Sequence, residues 1–253
     1  MGSLNGKFVW FEHLSGDVAA ARKFYEGLLG WHTERMPMGE GSYPMIQNGE
    51  QAIGGYRDAP AGVPANWMSY LSVPDVDVAY NAALAAGAKG LMPPMDFGPI
   101  GRGATIADPT GAVLSLWKDR EGDRADAAET PVGDWLWNEL RTPDDQAALA
   151  FYEKVLGYSH DRMDMGPQGT YYILKVGDKG RAGLMKATGD ASPPMWLPYV
   201  RVDDCDAATA KAQSLGARSV RVPPTDIANI GRFSVVLDPQ GAAFALMKPA
   251  SMA

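Results

Sequence analysis

The apolar positions of this chain switch between two spacings, and the switches predict its elements. Phe8 to Glu12 is a short apolar run of the kind a buried strand needs. Ala20, Phe24, Tyr25 and Leu28 then share one face at helical spacing, with Ser15 as the expected N-cap and Gly30 as the C-terminal glycine. Three strand-like runs follow, Trp31 to Met36, Ser42 to Gln47 and Gln51 to Tyr56, separated by glycine-rich turns. The order of strand, helix and three strands recurs in weaker form. Trp67 to Val73 is its strand and Val76 to Ala86 its helix, ended by Gly87. Gly90 to Met92, Gly103 to Ala107 and Ala112 to Lys118 are its remaining strands. Pro93-Pro94 falls in the loop between two of them, and Asp108-Pro109-Thr110-Gly111 is a turn.

The second half repeats this design. Trp10-Phe11-Glu12 and Phe24-Tyr25 return 127 residues later as Trp137-Asn138-Glu139 and Phe151-Tyr152. A repeat at a fixed offset decides the architecture more firmly than any single element. Here Thr142 is the expected cap, Pro143 opens the helix and Asp145 is the capping-box acid. Trp196 to Val202, a helix ended by Gly216, Phe233 to Leu237 and Ala242 to Lys248 complete the copy, with Asp238-Pro239-Gln240-Gly241 as its turn. The expectation is an α+β chain of two tandem domains, 1–118 and 135–253. Each has paired βαβββ modules forming a curled, partly open barrel-like sheet. Residues 119–134 carry charges of both signs with no apolar period, as a solvated linker would.

Composition acts mainly by exclusion. A net charge of −7 without any basic run argues against nucleic acid and against an anionic membrane surface. The single Cys205 excludes a disulfide framework and a cysteine-rich metal site. No stretch is long and apolar enough to span a bilayer, and the first residues show no apolar leader. The expectation is a cytoplasmic protein with a small-molecule ligand, either a monomer of two pseudo-symmetric domains or a homodimer.

Paired βαβββ modules with Phe24-Tyr25…Leu29-Gly30 and Phe151-Tyr152…Leu156-Gly157 on their first helices, and Asp108-Pro109…Gly111 and Asp238-Pro239…Gly241 before their last strands, resemble the vicinal oxygen chelate superfamily. It is also called the glyoxalase, bleomycin-resistance and extradiol-dioxygenase superfamily. The Trp-Phe-Glu and Trp-Asn-Glu openings, with Gly101-Arg102 and Gly231-Arg232, are similar to a bacterial branch described as lactoylglutathione-lyase-related. The resemblance implies a divalent metal held inside the sheet by His or Glu. Counted from the landmarks, the ligand positions fall on Trp10 and Trp137, Met68 and Leu197, Ser115 and Ala245, and near Gly54 and Ala182. A hard or borderline cation needs several converging oxygen or nitrogen donors, and these residues do not supply them. No cofactor is therefore expected. A divalent ion is the alternative, with Glu12 and Glu139 as displaced ligands. His13, off the parity of Trp10 and Glu12, and His32 and His160, just after helix-ending glycines, are expected at the surface or an edge.

Period-two alternation extends each of these positions along its own strand. Glu12 joins Trp10, Glu139 joins Trp137, Tyr70 joins Met68, and Tyr199 joins Leu197. Trp117 joins Ser115, Met247 joins Ala245, and Tyr56 joins Gly54. The result is an apolar, aromatic lining with a carboxyl group and a tyrosine hydroxyl, as small-molecule sites have. Glu12 and Glu139 are the candidate acid–base residues. Arg102 and Arg232 either pair with these carboxylates or close the rim over an anionic ligand. In the competing reading the tryptophans are core and the glutamates accept structural donors. Three functions follow: a metal-independent small-molecule protein with acid–base chemistry at most, a metal-dependent lyase-like or dioxygenase-like enzyme, or a sequestering protein without catalysis.

Overall fold

The computed structural model describes residues 4–38, 41–187 and 193–250. The first half comprises β1 (Phe8–Ser15), α1 (Val18–Leu29), β2 (His32–Met38), β3 (Gly41–Asn48), β4 (Gln51–Asp58), β5 (Asn66–Ser72), α2 (Val76–Ala85), β6 (Lys89–Phe97), β7 (Gly101–Ala107) and β8 (Val113–Asp119). The second half repeats it as β9 (Trp135–Thr142), α3 (Asp145–Leu156), β10 (Ser159–Asp164), β11 (Thr170–Val176), β12 (Lys179–Lys186), β13 (Met195–Arg201), α4 (Cys205–Ser214), β14 (Ser219–Ile227), β15 (Gly231–Leu237) and β16 (Ala243–Pro249). The four βαβββ modules are those the hydrophobic pattern predicts. They form two eight-stranded mixed sheets, ordered β2-β3-β4-β1-β5-β8-β7-β6 and β10-β11-β12-β9-β13-β16-β15-β14. Within a module the first strand runs parallel to the last, as β1 does to β4 and β5 to β8.

Two local expectations need correction. The α1 cap is Asp17, whose carboxylate accepts from the Ala20 amide, and the α3 cap is Asp144, accepting from Ala147. Ser15 and Thr142 instead end their strands. Gly30 and Gly157 close the helices in the left-handed conformation, as expected. Pro93-Pro94 lies within β6 rather than in a loop, and Pro223-Pro224 lies likewise within β14. Both are edge strands, where a missing amide donor breaks no inner ladder, and the register shifts around each pair. The 119–134 segment is largely exposed, as a solvated linker is, and is pinned at two points. Asp123 is buried and accepts from Leu4 N and Ser72 Oγ, while Asp126 gathers Lys7, Lys179 and Arg181.

The sheets follow the halves of the sequence, but the compact units do not. One unit holds the chain up to Trp10, Met68–Asp126 and Trp137–Trp196; the other holds Phe11–Trp67, Ala127–Leu136 and the chain from Leu197. Each unit thus combines a module from either half. In the first unit Tyr152 of α3 donates to Asp108 at 2.9 Å and accepts from the Trp196 indole at 3.1 Å. In the second, Tyr25 of α1 donates to Asp238 at 3.1 Å and accepts from Trp67 at 2.9 Å. The helix-motif tyrosine of one half and the turn aspartate of the other are therefore lock partners. Burial, then the adjacent aspartate, pushes both phenols well above their ordinary range, so they stay protonated donors.

Leu71, Val73, Leu114 and Leu116 pack with Leu140, Phe151 and Leu184 in the core of the first unit. In the second, Tyr25, Trp31, Trp67 and Trp135 pack ring on ring, with centroids 4.9–6.2 Å apart. The buried indoles still find acceptors: Trp31 donates to Gly133 O and Trp135 to Ile53 O.

Candidate functional site

In the second unit, β1 brings Glu12 into the ladder opposite Gly55 of β4. The Glu12 side chain is 4% exposed, which demands partners for its charge. Tyr43 of β3 donates to Oε1 at 3.0 Å, and Arg57 of β4 places its guanidinium 3.0 Å from Oε2. Gly55 makes the approach feasible, because a Cβ there would lie 2.0 Å from the Tyr43 hydroxyl.

The first unit repeats this cluster around Glu139, which pairs with Gly183 of β12. The Trp137 indole donates to the Tyr171 hydroxyl at 2.8 Å, and Arg141 lies 3.3 Å from Glu139 Oε1. Burial, then the Glu139 charge, raises the Tyr171 phenol well above its ordinary value, and the phenol hydrogen-bonds the carboxylate. The cation thus comes from the last strand of the module in one copy and from the first strand in the other.

A second surface lies on β5, β8, β7 and β6 of the first unit. Tyr70 stands opposite Ser115 in the parallel ladder, and Trp117 opposite Gly103. Trp117 meets Tyr70 and Phe97 edge-on, with centroids 5.9 and 5.5 Å away. Thr105 Oγ1 and the buried Ser115 Oγ are 2.9 Å apart beside these rings. At matching register in the second unit, Tyr199 stands opposite Ala245, and Phe233 opposite Met247. The Tyr199 and Phe233 rings stack there at 6.1 Å.

Several candidates sit elsewhere than parity suggests. Tyr56 pairs with His13, not with Glu12, so it shares the opposite, helix-packed face. The slip of one residue arises because Gly55, not Gly54, occupies the position beside Glu12. Arg102 and Arg232 also belong to the opposite face. Gly101 and Gly103 lie against Trp117, which turns Arg102 toward α2, where it clamps Asp77 bidentately and reaches Asp96. Arg232 does the same with Asp206 and Asp226. Neither arginine pairs with Glu12 or Glu139; Arg57 and Arg141 do.

Met68 and Trp10 are half-buried, and Leu197 is buried. His32 is exposed and His160 half-buried against Glu153, as expected. His13 is not at the surface. It faces away from Glu12 but is fully buried, with Nε2 2.7 Å from Asp238. Cys205 is a buried helix-start thiol, raised by desolvation.

Tyr43, Tyr171, Arg57, Arg141, Gly55 and Gly183 escaped the sequence reading. A signal was present for four of them: the tyrosines and the glycines recur in step, 128 residues apart. A divalent ion, which the resemblance implies, does not fit these groups. Both oxygens of Glu12 already meet a hydroxyl or a guanidinium, and a cation would face Arg57. Among the described residues no three His, Cys, Asp or Glu side chains converge as ligands.

Comparison with known proteins agrees with this architecture. The model of the Glyoxalase/Bleomycin resistance protein/Dioxygenase superfamily matches residues 7–116, and that of a glyoxalase-like domain matches residues 138–247. The chain is 38% identical over 247 residues to a Mycobacterium tuberculosis protein named "Putative glyoxylase CFP32", covering 95% of this chain and 94% of that one. It is 33% identical over 261 residues to the anthracycline biosynthesis protein DauV of a Streptomyces species, covering 96% and 93%. The Mn(II)-bound glyoxalase from Novosphingobium aromaticivorans shares the fold at a TM-score of 0.64 and 18% identity, over 98% of this chain and 82% of that one.

Proposed function

The chain belongs to the glyoxalase, bleomycin-resistance and dioxygenase superfamily, and within it we propose a protein that binds a small, largely apolar or aromatic metabolite without a metal. Any chemistry is confined to proton handling at Glu12 or Glu139. The observation that carries this reading is the pairing of each buried glutamate with a tyrosine and an arginine, whereas a metal site needs several converging donors. A carboxylate so held is neutralised in place. It accepts a hydrogen bond or a proton from a ligand, while the tyrosine hydroxyl fixes its orientation. Tyr70, Trp117 and Phe97 supply the apolar surface that flat ligands favour. The names of the two relatives support a chemically active role and an aromatic ligand.

The test is incubation of metal-free protein with three compounds: a catechol, an anthracycline and the glutathione hemithioacetal of methylglyoxal. Product formed without metal and lost in Glu12→Gln or Glu139→Gln supports acid–base chemistry. A ligand bound tightly and recovered unchanged points to sequestration. Turnover that appears only with added Mn, Ni, Zn or Fe overturns the proposal.

A further inference from the structure

The two copies differ where their aromatic surfaces meet polar groups. In the first copy Thr105 and Ser115 stand opposite each other on β7 and β8, with their hydroxyls 2.9 Å apart. At the same register the second copy carries Val235 and Ala245, on β15 and β16. Two paired hydroxyls hold two O–H donors, and their mutual bond uses only one. The pair therefore keeps a donor, together with acceptor lone pairs, beside Tyr70 and Trp117. Val235 and Ala245 offer neither, and the Trp117 position is taken by Met247. The carboxylate clusters, by contrast, persist in both copies. The surface that would recognise the ligand thus keeps its hydroxyl pair in one copy only.

Resting on the reading that the chain binds an aromatic metabolite, we propose that only the first copy orients it. The Thr105–Ser115 pair would read a hydroxyl or carbonyl group on a planar aromatic ligand, one per chain. Trp117, edge-on to Tyr70 and Phe97, supplies the ring contact, and the hydroxyl pair supplies the polar discrimination.

Calorimetric titration of the full chain with 2-naphthol, and with naphthalene as its hydroxyl-free counterpart, tests this. Wild type should bind one 2-naphthol per chain and prefer it about fivefold, the worth of one net hydrogen bond. Thr105→Val/Ser115→Ala installs residues that the second copy already accommodates at this register, so folding is preserved. It should level the preference while leaving naphthalene affinity within about twofold. Val235→Thr/Ala245→Ser should add a second 2-naphthol site. Equal binding at two sites in wild type, or a preference that survives Thr105→Val/Ser115→Ala, overturns the inference but leaves the proposed function standing. Binding of neither probe overturns the proposed function itself.

Discussion

Replacing Gly183 with Ala tests the carboxylate cluster through a single methyl group. Gly183 does not adopt a left-handed φ, so alanine meets no backbone strain there. The obstacle is the neighbouring side chains: the new Cβ would lie 1.9 Å from the Tyr171 hydroxyl, 2.5 Å from its Cζ and 2.9 Å from the Trp137 indole nitrogen. The phenol must leave. Its hydrogen bond to the Glu139 carboxylate is of the charge-assisted kind, worth about 1.5–3 kcal/mol, and uncovering part of the ring costs about 1 kcal/mol more. The lower entropy of the unfolded alanine chain offsets about 0.5–1 kcal/mol. The net loss is about 2–3 kcal/mol, or about 5–10 °C in Tm for a chain of this size. Thermal melts followed by circular dichroism measure it. Alkaline titration at 295 nm supplies an independent readout. Tyr171, held well above its ordinary value by burial and by Glu139, should join the phenols that ionise near pH 10 in the variant. Adding Tyr171→Leu should cost little beyond the single glycine change, because both remove the same contact. An unchanged Tm with an unchanged titration would refute this geometry.

Other outcomes follow from the locks that join the halves. Tyr152→Phe leaves Asp108 short of a donor and the Trp196 indole short of an acceptor, and should cost about 1–3 kcal/mol in urea denaturation. Asp126→Asn removes the counter-charge shared by Lys7, Lys179 and Arg181 and should cost about 1–2 kcal/mol at neutral pH. Burial alone would raise this carboxyl, but hydrogen bonds from Lys179, Arg181 and Lys7 outweigh it and hold the group well below the usual range. A depressed folded value gives stability that is present above about pH 4 and lost as pH falls further. The gap between wild type and Asp126→Asn, measured by urea midpoints, should therefore close on acidification. A gap that widens would contradict the assignment.

Most of the fold was legible because period and punctuation agree at every level. The two apolar helix faces, the glycine stop after the first helix and the Asp-Pro turn of the first half all recur in the second, so one copy corrects the other. The module exchange was not legible, since strand periodicity says nothing about which helix packs on which turn. Tyr25 and Tyr152, as buried phenols, need hydrogen-bond partners, and Asp238 and Asp108 supply them. The site was legible in part. Glu12 and Glu139 hold matching ladder positions opposite Gly55 and Gly183, but Tyr56 takes the other face because β1 and β4 meet one residue out of the counted register. Arg102 and Arg232 failed because charge alone does not tell which face of a strand a residue takes. His13 failed because its buried partner lies 225 residues away.

In the proposed function a carboxylate held by tyrosine and arginine works without a metal ion. Metal analysis of protein purified without chelator, paired with 2-naphthol titration before and after EDTA treatment, tests it most directly. The expected result is no stoichiometric divalent ion and the same affinity in both titrations. One tightly held ion per half, with binding lost to EDTA and restored by that ion, would contradict it.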